Sequence, residues 1–239
     1  IDDYYACIDI YPEYAPPYIL AAEVYFAFEQ YEDIEHILES ADKAGIVSDS
    51  LELYRIRLFH YKDFSRENLS KALSAIEKLE NKIEDGKDDD GNNPDSDIEK
   101  AEDVVREHSL IYWDLDENDQ ALMILDNYLK YHPNIFALQN LKIDILNQSG
   151  RTKDALRLCR QLYNDNQTVY MQTRLGICYE RNQDYENARK NYEEAYKKDS
   201  EYQVVVRRLM YLYSYLSDKK KDLDLCRPGA ARSEERRVG

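Results

Sequence analysis

The chain has 239 residues, 48 Asp plus Glu against 32 Lys plus Arg for a formal charge of −16, and 43% hydrophobic types. That is enough apolar material for a core and too much charge for a membrane-embedded chain. Only 7 glycines and 6 prolines are present, which disfavours turn-rich sandwiches, barrels and Gly-rich phosphate loops and favours helices on short connections.

Of the aromatic residues, 22 are tyrosines and one is a tryptophan, Trp113, so most aromatic area carries a hydroxyl suited to a core edge or a groove. A pI near 4.7 leaves no stripe of Lys or Arg to release counterions, so nucleic acid and anionic membranes are not expected partners. The longest nearly apolar run, Tyr18 to Phe28, is interrupted by Glu23 and falls far short of the roughly 20 residues that span a bilayer. Cys7, Cys159, Cys178 and Cys226 form no CxxC pair; a reduced, cytoplasmic setting is the simpler expectation.

In chain order, residues 1–14 read as one amphipathic helix with Tyr4 and Cys7, closing at Tyr11-Pro12, the last helix of a unit that starts upstream. Residues 15–47 read as a helix pair, with Tyr18, Ala21, Ala22 and Tyr25 on the first stripe and Tyr31, Ile34, Leu38 and Ala41 on the second. Residues 48–84 repeat the pair, with Leu51, Tyr54, Leu58 and Phe64, then Ala72, Ile76 and Leu79. Ala72 follows Ile34 by 38 residues, and the excess over a period of 34 is expected in a longer turn at Ser65–Asn68. Residues 85–97 hold six Asp and one Lys and read as an inserted acidic loop.

Residues 98–134 form the next unit, with Tyr112-Trp113, Ala121, Leu125, Tyr128 and a closing Pro133. In 135–168, Leu138, Leu141 and Ile145 precede Ala155, Cys159 and Leu162. Residues 169–201 read Leu175-Gly176-x-x-Tyr179, then Asp184-Tyr185-x-x-Ala188-x-x-x-Tyr192-x-x-Ala195. Spacings of three and four put each set on one helical stripe, and small residues let paired helices approach closely. Residues 202–225 supply a further first helix with Val206, Leu209, Met210 and Tyr213. Beyond it the period is lost, and Arg232–Gly239 reads in frame as AGA TCG GAA GAG CGT CGT GTA GGG, a common sequencing adapter. Residues 226–239 are therefore expected to be non-native; without them the tail's four Arg and two Glu are lost and the charge becomes −18.

The motif at 169–201, echoed at Ile34, Ala72, Ala121 and Ala155, resembles the tetratricopeptide repeat. The resemblance implies an all-α, right-handed superhelical solenoid of antiparallel helix pairs that acts as a protein–protein interaction scaffold, not an enzyme. One departure is Gln172, which stands where the motif has a large residue. In the family, residues just off the core stripe of each first helix face a ligand groove. That maps the groove to Glu23, Phe26, Arg106, Leu110, Trp113, Gln139, Ile143, Thr173, Ile177, Glu180, Arg207 and Tyr211. Core or inter-repeat packing is the competing explanation, and the commoner one, because aromatic residues at helical spacing are usually buried. The Lys/Asn/Arg clamp by which some members grip a terminal carboxylate is absent.

No catalytic or cofactor motif emerges. His36, His60, His108 and His132 lie on separate helices or turns without metal-ligand spacing, and read as surface or helix-end residues. Asp88, Asp90, Asn92, Ser96 and Glu99 match the oxygen-ligand spacing of a calcium loop, but Asn93 stands where its glycine belongs, so a plain connector fits as well. Cys159 and Cys178 read as small buried hydrophobes rather than a redox pair. The expected function is a scaffold that grips a peptide or helix of a partner in its groove. The alternatives are a docking segment of a larger enzyme or chaperone cofactor, or a calcium-responsive module at 88–99. A moderately acidic surface favours basic or neutral partners.

Overall fold

A computed structural model describes residues 2–86 and 101–215. Twelve α-helices and no strand occur among the described residues. The chain divides at 138/139 into two compact units.

The N-terminal unit contains α1 (Asp2–Ile10), α2 (Pro16–Ala27), α3 (Tyr31–Lys43), α4 (Asp49–Lys62), α5 (Arg66–Asp85), α6 (Ala101–Asp114) and α7 (Asn118–Leu129). Two apolar clusters hold it together. Tyr18, Ala21, Ala22 and Tyr25 of α2 meet Ile34, Leu38 and Ala41 of α3 and Leu51, Tyr54 and Leu58 of α4. Leu53 and Ile56 of α4 meet Ala72, Ile76 and Leu79 of α5 and Val104 and Ile111 of α6. One helix thus contributes opposite sides to successive layers, so no pair closes its own core.

The second pair departs from its expected form. Ser65 is not in a long turn; its side chain caps α5 by accepting from the Asn68 backbone N–H at 3.3 Å, so Arg66–Asn68 are already helical. The excess residues are an added first turn that buries Leu69 ahead of Ala72. Phe64 lies past the end of α4 and is 60% exposed, off the stripe where spacing had put it.

The C-terminal unit, from Gln139, contains most of α8 (Phe136–Gln148), then α9 (Thr152–Asp165), α10 (Val169–Arg181), α11 (Tyr185–Lys198) and α12 (Gln203–Tyr215). Ala155 and Cys159 on α9 and Ala188, Tyr192 and Ala195 on α11 are fully buried. Gly176 explains the closeness of α10 and α11: a Cβ built there would lie 2.4 Å from Tyr192 Cε1. On α12 the buried residues are Val205, Leu209, Leu212 and Tyr213, whereas Val206 and Met210 are only half-buried.

The turns within pairs share a device. Glu29, Asp116, Gly150 and Gln183 each adopt positive φ, between 57° and 77°, two residues before a second helix begins. After three of them the next N–H reaches back to close the first helix, Gln30 to Tyr25 O, Glu117 to Tyr112 O and Asp184 to Tyr179 O, each at 2.9 Å. This is the Schellman reversal, in which a left-handed residue satisfies carbonyls that the helix end would orphan. The α4–α5 turn does without it; Asp63 is extended, and its carboxylate accepts from the Ser65 N–H at 3.1 Å.

Candidate interaction faces

In the N-terminal unit the first helices α2, α4 and α6 carry an aromatic and charged cluster. The Phe26 ring meets Tyr31, Tyr54 and Tyr61 edge-on, with centroids 6.5, 6.1 and 5.4 Å away. The Arg57 guanidinium lies over the rings of Phe26 and Tyr54, at 5.4 and 5.2 Å. Such offset and cationic contacts suit rings whose faces are electron-rich.

Beneath Arg57 lies a network that spacing alone did not reveal. His60, fully buried, bridges Glu107 Oε1 at 2.6 Å through Nδ1 and Asp114 Oδ2 at 2.8 Å through Nε2. Arg57 Nε adds a 3.4 Å contact to Glu107 Oε2. Carboxylate oxygens accept, so an imidazole spanning two of them donates from both nitrogens and is the charged form. Burial pulls the His60 pKa down, but the hydrogen bonds and charges of Glu107 and Asp114 outweigh it and leave the pKa raised. Arg57 and His60 against Glu107 and Asp114 make a balanced set, which is the condition for burying charge.

His60 and His108 are thus buried, not surface residues as the sequence suggested; His108 Nδ1 lies 2.8 Å from Glu80 Oε2. His36 and His132 are exposed. A signal for His60 was present, because it continues the buried Leu53–Ile56 stripe at the next turn.

In the C-terminal unit, Arg174 on α10 donates to Asp144 Oδ1 of α8 at 2.6 Å and to the Asn140 carbonyl at 3.0 Å. Glu180 accepts from the Tyr192 hydroxyl at 2.7 Å and from Arg208 at 3.3 Å. Tyr185 and Tyr211 both pack against Tyr215, at 5.0 and 6.5 Å. Cys159 and Cys178 are free buried thiols, and the interaction between them raises the Cys159 pKa and lowers that of Cys178.

Of the mapped groove residues, Glu23, Arg106, Arg207 and Tyr211 are exposed, and Phe26, Leu110, Trp113, Gln139, Ile177 and Glu180 are half-buried. Ile143 and Thr173 are corrections: at 0% and 2% exposure they offer no surface to a ligand. Thr173 Oγ1 is spent on its own Val169 carbonyl at 2.7 Å. The calcium-loop candidates Asp88, Asp90, Asn92, Ser96 and Glu99 lie outside the described residues. Among the described residues no group of His, Cys, Asp and Glu is arranged to hold a metal, and no helix is long and apolar enough to cross a membrane.

The sequence model for the Psidin N-terminal TPR repeats region matches residues 109–222, where the helix pairs and their left-handed turns are most regular. The match identifies those residues as tetratricopeptide repeats, and the chain has the tetratricopeptide-repeat fold. Solved structures share this fold at low identity. A tetratricopeptide repeat protein from Parabacteroides merdae aligns with TM-score 0.60 and 12% identity over 87% of this chain and 75% of its own. YrrB, described as a TPR protein with an unusual peptide-binding site, gives 0.52 and 14% over 85% and 96%. MamA from Desulfovibrio magneticus gives 0.52 and 16% over 77% and 96%. No curated protein matches the sequence.

Proposed function

We propose that the array grips a peptide or helix of a protein partner on its first-helix faces and performs no chemistry of its own. The observation that carries this reading is the incomplete burial of Phe26, Trp113 and Tyr211 beside the exposed charges of Glu23, Arg106 and Arg207. Aromatic anchors ringed by isolated charges are the composition of protein interfaces. The peptide-binding site named for YrrB supports it by analogy of fold. A second reading, a docking segment of a longer protein, is favoured by the matched family model, which describes an N-terminal region.

Peptides selected from a displayed random library on this chain supply the test. Trp113→Ala and Tyr211→Ala are each expected to weaken selected ligands by about tenfold or more, the size of an aromatic hot spot. Unchanged affinity in both variants, with helicity retained, would sink the assignment.

A further inference from the structure

The acidic balance of the whole chain hides a local reversal. Residues 1–138 hold 12 Lys plus Arg against 33 Asp plus Glu, a charge of −21, whereas residues 139–215 hold 13 against 10, a charge of +3. Three of those thirteen cations, Lys153, Arg157 and Arg160, sit on α9 beside Asp154 and Asp165. Its buried stripe is Ala155, Cys159 and Leu162. At 100° per residue, Lys153, Arg157, Arg160 and Asn164 fall on the opposite side of the helix. All four are exposed, and with Leu156 and Gln161 they line a shallow recess of about 500 Å³. The expectation that no cationic stripe exists is therefore corrected for this helix.

The recess has the chemistry of a receptor for carboxylates. Arg160 is held in place by Tyr179, whose hydroxyl accepts from Nε at 3.1 Å and Nη2 at 2.9 Å while its ring lies 5.0 Å below the guanidinium. Arg157 is tethered to Asp154 at 3.1 Å, and Arg151 approaches the same carboxylate at 3.6 Å. These tethers lower the side-chain entropy that a ligand would otherwise have to remove. Lys153 adds a third cation, Leu156 a half-buried apolar floor, and Gln161 and Asn164 amide donors.

We propose that the outer face of α9 is a second docking surface, for an Asp/Glu-rich segment of a protein partner. Guanidinium forks take carboxylates in paired hydrogen bonds, and an acidic segment with interspersed apolar residues also uses Leu156. A nucleic acid fits less well, because its affinity grows with the number of phosphates neutralised and three cations neutralise few. This surface is distinct from the first-helix faces, since α9 is a second helix and its basic side points away from the core.

The test uses the full chain and a labelled peptide of alternating Glu and Leu, read by fluorescence anisotropy. Binding is expected to weaken about tenfold or more in Lys153→Glu/Arg157→Glu, the scale of a like-charge juxtaposition, with helicity unchanged because both side chains are exposed. It is also expected to fall with added salt, and to persist in Trp113→Ala/Tyr211→Ala, which disable only the first-helix faces. No binding by the unaltered chain, equal binding of a Gln-Leu peptide, equal binding by the charge-reversed variant, or loss in the Trp113/Tyr211 variant would each overturn the proposal. Tighter binding of a single-stranded oligonucleotide than of the peptide would overturn it in favour of phosphate recognition.

Discussion

The two units build the same helix pairs under opposite electrostatic loads, −21 over residues 1–138 and +3 over residues 139–215. They also differ in what they bury. The N-terminal unit encloses His60 and Glu107, whereas the fully enclosed polar side chains of the C-terminal unit are neutral, among them Gln172 and Thr173. The pairing of helices therefore depends on small and apolar stripes common to both, while charge is free to diverge. The consequence is that each unit should fail for its own reason.

The largest separation is expected from Glu107→Ala. It leaves His60 and Arg57 without the carboxylate between them, and breaking a buried ionic set costs about 3–5 kcal/mol. Native-state hydrogen exchange should show α4 and α6 losing protection while α9 to α11 keep theirs. Equal loss in both regions would break the comparison.

Gly176→Ala is the reciprocal change. The added methyl would overlap the Tyr192 ring, which is fixed at its far end by Glu180. Overpacking of this kind costs about 1–3 kcal/mol, read as a lower urea midpoint with exchange loosened first in α10 and α11. An unchanged midpoint would mean that the two helices separate without cost.

A smaller, pH-dependent contrast sharpens the same point. The His60 pKa is raised on folding, so its contribution is complete below the unfolded value of about 6.5 and is lost as pH rises through the folded value. Stability of the N-terminal unit should decline over that window, and His60→Gln should flatten the decline. A profile unaffected by that substitution would show that the bridge does not respond to protonation.

Much of this fold could be read directly from local spacing. Ala121, Ala155 and Ala188 recur at intervals of 34 and 33 residues, and all three are fully buried. The buried network was hidden because Glu107 and Asp114 lie 47 and 54 residues along the chain from His60. Local periodicity marks His60 and Glu107 as core positions without saying that they satisfy each other. Ile143 and Thr173 were misread for a related reason: which side of a first helix meets the next first helix is a tertiary fact. The cations of α9 were visible as residues, but a whole-chain charge averages over the units and conceals them.

The left-handed residues at Glu29, Asp116, Gly150 and Gln183 also bear on how the chain reaches its structure. Each folds a helix back onto its immediate neighbour, so the contacts that bury apolar surface join segments close in sequence. Loop closure then costs little entropy at every step, and such local topologies fold quickly. Assembly can begin at any helix pair and spread to either side, so that the order of folding is set by whichever pair is locally most stable.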